Sequence, residues 1–268
     1  NSCRASQNQT TKDKFMSNFS QQPMQSDPSQ QPKPQRVRIN LPAKKPIVMY
    51  TILGLTILVY LVQMATNYFL GVDLASAYLA KVNSMIIGGQ FWRLISPILV
   101  HGSITHIGFN MYALYIFGQN LEYQYGHGRF LLLYLLSGFA GNVVSFVMST
   151  SPSVGASTAI FGMVAAQGVF IFRNRKFFGD RARGILMNIA LILGINLVLG
   201  LSPMIDNWGH LGGLLGGLVF AWTAGPLWKM QIDVDGYHLE DQQEKHNIVF
   251  GALIVFIAFA ALSMVRWF

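Results

Sequence analysis

Six stretches of this chain contain no Asp, Glu, Lys or Arg at all: residues 46–72, 94–121, 130–172, 184–205, 207–228 and 246–265. About 20 apolar residues cross a bilayer as a helix. Five of the stretches hold one span each. The stretch 130–172 holds two, divided by the turn-like run Ser149-Thr150-Ser151-Pro152-Ser153. The pattern predicts an all-α polytopic membrane protein with seven transmembrane helices. Composition agrees, because 52% of the 268 residues are apolar and 11% are charged, against about 25% charged in an average soluble domain.

The formal charge of +8 is concentrated in two places. Residues 1–45 carry eight Lys/Arg and two Asp, and residues 173–183 carry five Lys/Arg and one Asp. The remainder is slightly acidic, which excludes the basic folded face of a nucleic-acid binder. Lys/Arg bias near span ends sets orientation. Arg36, Arg38, Lys44 and Lys45 precede the first span, and Arg173, Arg175, Lys176, Arg181 and Arg183 separate the fourth from the fifth. Both segments therefore face the cytoplasm, and the expected topology is N-in/C-out. Residues 1–45 are rich in Gln, Ser, Asn and Pro and read as a disordered basic cytoplasmic tail. Residues 46–228 form a six-helix core, 229–246 a mostly acidic cytoplasmic loop, and 247–268 the seventh helix. Cys3 is the only cysteine, so no intrachain disulfide is possible. No short apolar run precedes a small-residue cleavage site, so no signal peptide is expected.

Polar side chains inside a span are costly and are functional candidates by default. Four stand out: His106 and Asn110 in the second span, Ser157 at the start of the fourth, and His210 in the sixth. From Ser157 to Arg173 is 16 residues, roughly 24 Å of helix, in a hydrocarbon core of about 30 Å. His106 stands equally far from Glu122, and His210 almost as far from Gly225-Pro226. One serine and two histidines therefore share a level in the outer half of the membrane.

A serine becomes a nucleophile when an adjacent base takes its proton, which demands close helices. Gly209, Gly213 and Gly217 recur every four residues around His210, with Gly212 and Gly216 beside them. Such small-residue repeats let helix backbones approach in lipid. The fourth span answers with Gly155, Ala156, Gly162, Ala165 and Ala166. A helix N-terminus offers free N–H groups around Ser157. His106 and Asn110, at i and i+4, share a helix face and could donate to an oxyanion. Each signal alone has a plainer reading: a membrane serine bonded to a carbonyl, a structural or proton-conducting histidine, glycines for packing. Their coincidence at one depth favours chemistry.

These residues resemble the rhomboid family of intramembrane serine proteases over roughly residues 46–228. Gly155-Ala156-Ser157 with Phe161-Gly162 is similar to the family's nucleophile motif, and Gly209-His210-Leu211-Gly212-Gly213 to its base motif. His101, His106 and Asn110 match its second-helix pattern, Trp92-Arg93 its first-loop pair, and Glu122 with Gly126 a further signature. The resemblance implies a Ser157–His210 dyad, with the Ser157 N–H, His106 and Asn110 holding the oxyanion. Gly155, Phe161, Gly213, Trp92 and Arg93 would support the site. It also implies a six-plus-one helix arrangement and a first loop, about 66–100, lying partly in the membrane, although a solvated connector has the same length. The expected substrates are transmembrane proteins cut near the outer face after a small residue, with the bilayer as the other partner and neither metal nor cofactor.

Two positions depart from the family pattern. Thr158 replaces a common Gly and puts a β-branched side chain beside the nucleophile, where it can narrow the cleft. Phe161 stands where some members have Tyr and keeps the ring. Asp206, four residues before His210, is a weak candidate to orient it. The rival readings are a rhomboid-like protein that binds helices without cutting them, and a transporter or channel. The latter calls for polar residues at several depths and an internal repeat. A His-Glu-x-x-His motif is absent, as are aspartates in the spans, which sets aside the metallo and aspartyl classes of intramembrane protease. The expected location is a prokaryotic plasma membrane.

Overall fold

The computed structural model describes residues 45–202, 205–233 and 236–266; the expected tail, 1–45, lies outside them except for Lys45. Among the described residues, seven long helices fall on the seven expected spans. They are α1 (Ile47–Leu70), α4 (Ile104–Tyr125), α5 (His127–Met148), α6 (Ser157–Arg173), α7 (Arg181–Leu199), α8 (Asn207–Ala224) and α9 (Lys245–Ser263). Short helices α2 (Leu74–Leu79) and α3 (Asn83–Ile87) lie between α1 and α4. Four helices are long and apolar enough to cross a membrane: α1, α5, α7 and α9 with its last turn; α6 is a shorter apolar helix. In α4 and α8 the polar residues and glycines of the site dilute the hydropathy. The second helix begins at Ile104, ten residues later than the charge-free stretch, because Phe91–Leu94 and Ser96–Leu99 form 3₁₀ turns instead.

Helices α5, α6 and α8 pack on one another, α9 lies against α5 and α8, and α4 joins α1 to the group. α6 is buried along most of its length. α7 rests chiefly on α6 and buries just Ala182 and Ile189, presenting Met187, Leu191, Ile195 and Val198 outward. Such a mostly apolar exterior, broken by Asn188 and Asn196, suits lipid rather than water.

The glycines of α8 divide between two neighbours. A Cβ on Gly213 would stand 2.0 Å from Thr158 O, and one on Gly217 2.3 Å from Gly162 Cα, both on α6. A Cβ on Gly212 would meet Ala140 O at 2.7 Å, and one on Gly216 Ala140 Cβ at 2.5 Å, both on α5. One stripe thus brings α8 onto α6, and the adjacent stripe brings it onto α5.

Helix ends are satisfied across elements, as buried termini require. Pro46 cannot cap α1 with a side chain, and Glu122 at the end of α4 does so instead, accepting Val48 N at 2.9 Å and Met49 N at 2.7 Å. Its Oε1 also meets His127 Nδ1. Arg173 at the end of α6 donates to Trp222 O (2.6 Å), Ala221 O (3.3 Å) and Gly225 O (3.4 Å), closing the C-terminus of α8.

The expected loop 229–246 contains an antiparallel hairpin, β1 (Trp228–Asp233) and β2 (Gly236–Asp241), with Trp228 opposite Asp241. Alternation in Trp228-Lys229-Met230-Gln231-Ile232 is the sequence signal for it. The Trp228 ring packs edge-on against Phe170, and Arg129 pairs with Asp241 to fix the hairpin to α5.

The first loop is a folded module. Arg93 is buried, and its guanidinium donates to Ala77 O (2.6 Å) and Ala80 O (2.7 Å) at the end of α2. Trp92, half exposed, donates from Nε1 to Tyr78 O at 3.0 Å. Gln63 of α1 clamps the far side, donating to Asp73 Oδ2 (2.8 Å) and Ser76 Oγ (2.9 Å) and pairing with the main chain of His101. Burial opposes the Asp73 carboxylate, but its hydrogen bonds from Ser76 and Gln63 outweigh that and hold its carboxyl below the ordinary value.

Candidate active site

Ser157 is the first residue of α6, after Gly155 at φ +125° and Ala156 at the cap. Gly155 must be glycine on two counts. Its backbone lies where L side chains rarely go, and a Cβ there would stand 2.6 Å from His106 Nε2. The approach is fixed from below by Gly155 N donating to Pro97 O (2.9 Å) and Ala156 N donating to His101 Nε2 (3.3 Å). First-turn amides of a helix have no intrahelical acceptor, so the Ser157 N–H is free to face the site.

His210 lies on α8 one turn from its start, 7% exposed, with Nε2 2.9 Å from Ser157 Oγ. The Phe161 ring stacks on the imidazole at 4.2 Å between centroids and 12° between planes. His210 Nδ1 is buried with no hydrogen-bond partner among the described residues. The carboxylate of Asp206 does not bond His210; it caps α8 by accepting Gly209 N at 2.9 Å and takes a hydrogen bond from Ser145 Oγ. A serine–imidazole pair without an acid is what the geometry offers.

His106 lies in the first turn of α4, whose cap Ser103 accepts His106 N at 3.1 Å. Its ring borders the Gly155 backbone and meets His101 edge-on at 5.0 Å. Asn110, buried on the same face, donates Nδ2 to His106 O at 2.9 Å. That bond uses one of its two amide hydrogens.

Thr158 does not narrow the cleft. It is buried, and its Cβ and Cγ2 fill the space over Gly141 and Gly209, between α5 and α8. Gly213 supports it from α8. Trp92 and Arg93 act within the first loop and do not touch the pair. Sequence reasoning passed over Gln63, Lys81 and Ser145, three polar residues that carry the site's surroundings. Their only signal was a polar group in or beside a span, which many exposed residues share. Among the described residues no three His, Cys, Asp or Glu side chains cluster to hold a metal.

The described residues form an α-helical membrane bundle in which a serine and a histidine bond across two glycine-packed helices. The family model of the Rhomboid domain matches residues 88–227, just over half of the chain, and the chain belongs to the rhomboid family of multi-pass membrane proteins. It is 42% identical over 182 residues to Rhomboid protease GluP of Bacillus subtilis (strain 168), covering 68% of this chain and 35% of that protein. It is 38% identical over 157 residues to RHOMBOID-like protein 6, mitochondrial, of Arabidopsis thaliana (56% and 50%). It is 33% identical over 151 residues to RHOMBOID-like protein 9, chloroplastic, of the same plant (56% and 35%). The chain thus spans a third to a half of the length of these relatives.

Proposed function

We propose that this chain is an intramembrane serine endopeptidase that cuts transmembrane segments of other membrane proteins near the outer face. The observation that carries the reading is the 2.9 Å bond between Ser157 Oγ and His210 Nε2 at the N-terminus of α6. Ser157 Oγ attacks the scissile carbonyl carbon while His210 Nε2 accepts its proton; the new C–O bond turns the carbonyl oxygen into an oxyanion. His210 then returns the proton to the leaving amide nitrogen as the C–N bond breaks, and a water repeats the sequence to free the acyl group. The Ser157 N–H, His106 and the second amide hydrogen of Asn110 stabilise the oxyanion. Gly155 leaves room for His106, Phe161 holds the imidazole plane, and Gly213 sets the helix spacing. The product begins after a small side chain, as the family pattern implies.

All seven long helices cross the bilayer in this reading, N-in/C-out, in a prokaryotic plasma membrane. α4 and α8 are too polar to cross alone, but both bury their polar faces against neighbours. The resemblance to Rhomboid protease GluP supports the activity. The test is cleavage of a model single-span substrate in liposomes by wild type, Ser157→Ala and His210→Ala. Wild type cuts, and both variants, equally folded, lose about 10⁴-fold or more. Equal behaviour of all three overturns the dyad. If fluorophosphonate labelling of the same samples also fails to depend on Ser157, a helix-binding protein that does not cut is the better account.

A further inference from the structure

Lys81 is the one lysine of the first loop, and its side chain is fully buried at 0% exposure. A buried ammonium needs both hydrogen bonds and opposite charge. It finds the bonds on α5, donating to Ser145 Oγ at 2.9 Å, Ser145 O at 3.3 Å and Ser149 O at 3.4 Å. The same Ser145 hydroxyl donates onward to Asp206 Oδ2. Asp206 caps α8 through Gly209 N and, through its main chain, accepts His210 N at 3.1 Å. A relay therefore runs from Lys81 through Ser145 and Asp206 to the turn that holds the histidine.

The main chain of Lys81 points the other way. Lys81 N donates to Ser153 O at 3.0 Å and Ser153 N donates back to Lys81 O at 3.1 Å, an isolated antiparallel bridge. Ser153 is four residues before the nucleophile. One residue thus touches the approach to Ser157 with its backbone and, through Ser145, reaches the cap of the His210 helix with its ammonium. The two helices of the pair meet along their glycines, Gly213 at Thr158 and Gly217 at Gly162, and Lys81 adds a tie near the ends that carry the pair. We propose that Lys81 is a positioning residue for the Ser157–His210 pair, setting the outer-end register of α6 against α8. This rests on the protease reading above.

The brace depends on charge. The charged groups facing Lys81 are Asp206 at the cap of α8 and Arg266 after α9; α5 presents only serines. Burial, with Arg266 adding repulsion against the pull of Asp206, lowers the ammonium from 10.5 to about 8. As pH rises through about 8 the ammonium is lost, the attraction to Asp206 goes with it, and turnover falls. The stability effect has the opposite sign. A folded value below the unfolded one means that burying the charge costs stability at neutral pH, a cost that disappears between about 8 and 10.5. Activity that falls while the fold does not loosen is the signature of the brace.

The experiment measures kcat and KM on a model single-span substrate in liposomes, from pH 6 to 10, for the full chain and for Lys81→Met, Lys81→Arg and Ser145→Ala. Lys81→Met is expected to lose about tenfold in kcat with little change in KM, since displacement of reacting groups by a fraction of an ångström acts on the chemical step. It should also lose the alkaline fall near pH 8. Lys81→Arg recovers part of kcat and moves that fall upward, and Ser145→Ala reproduces the Met defect in milder form. A Lys81→Met protein that melts with wild type yet keeps its kcat and alkaline limb overturns the inference. Should that variant not fold, an unchanged kcat and limb in Ser145→Ala overturns it. Wild type without cleavage and without Ser157-dependent fluorophosphonate labelling sinks the protease reading, and the brace with it.

Discussion

His210 has no carboxylate behind it, so its ring must be held by packing. Phe161, one turn along α6 from Ser157, lies flat on the imidazole and restricts its χ2 without taking a hydrogen bond. An aromatic pair of this kind is worth about 1 kcal/mol beyond the area that it buries. Phe161→Ala should therefore lower kcat by roughly fivefold in the liposome assay, while Phe161→Tyr keeps it within a factor of about two. An Ala variant with undiminished kcat would show that the ring does not hold the base. Both members of the proposed pair stand out in the chain because each is a polar side chain where lipid tolerates few. The direction of Thr158 could not be read from the chain: one step along a helix turns the side chain by about 100°, and here it lies on Gly141 and Gly209.

The element that organises the site is α8, which has one glycine stripe for each of two neighbours. Toward α6 the close approach is backbone on backbone, so relief by side-chain motion is unavailable there. Gly213→Ala must displace Thr158 O from 2.0 Å, and overpacking costs about 1–3 kcal/mol even where side chains can yield. This substitution should lie at or above the top of that range and also abolish cleavage by parting α6 from α8. Gly194→Ala, on α7 with nothing within 4 Å of its new Cβ, serves as the control and should melt with wild type. Equal melting and equal activity for Gly213→Ala would refute the stripe assignment. The glycine repeat itself was readable in the sequence. Its division between α5 and α6 was not, because a repeat of four marks a face and says nothing of what lies against it. Likewise Glu122 stood out as a family signature, but its work at the N-terminus of α1 emerges only when two helices far apart in sequence meet.

At the scale of the whole molecule, the turns at the two ends of α6 differ in charge. Arg173 ends α6, and Arg175 and Lys176 lie between α6 and α7, whereas Ser149–Ser153, between α5 and α6, carries no charge. The bias of Lys and Arg toward the cytoplasmic side predicts opposite accessibility for these two turns. With Cys3 replaced by Ser, a membrane-impermeant thiol reagent applied to intact cells should label Ser151→Cys and leave Lys176→Cys unlabelled until the membrane is permeabilised. The reverse pattern would invert the orientation and put the site in the inner half.

Hydropathy and charge are one-dimensional quantities set by the solvent, so the bilayer reads them directly from the chain. That is why the positions of the seven long helices, the hairpin apart, and the residues with reactive side chains follow from the sequence by itself. The first loop and the brace do not. Lys81 looks in sequence like any lysine between two spans. Only folding puts its main chain beside Ser153 and its ammonium beside Ser145 and Asp206, because such contacts depend on the three-dimensional register of helices whose order in the chain carries no trace of it.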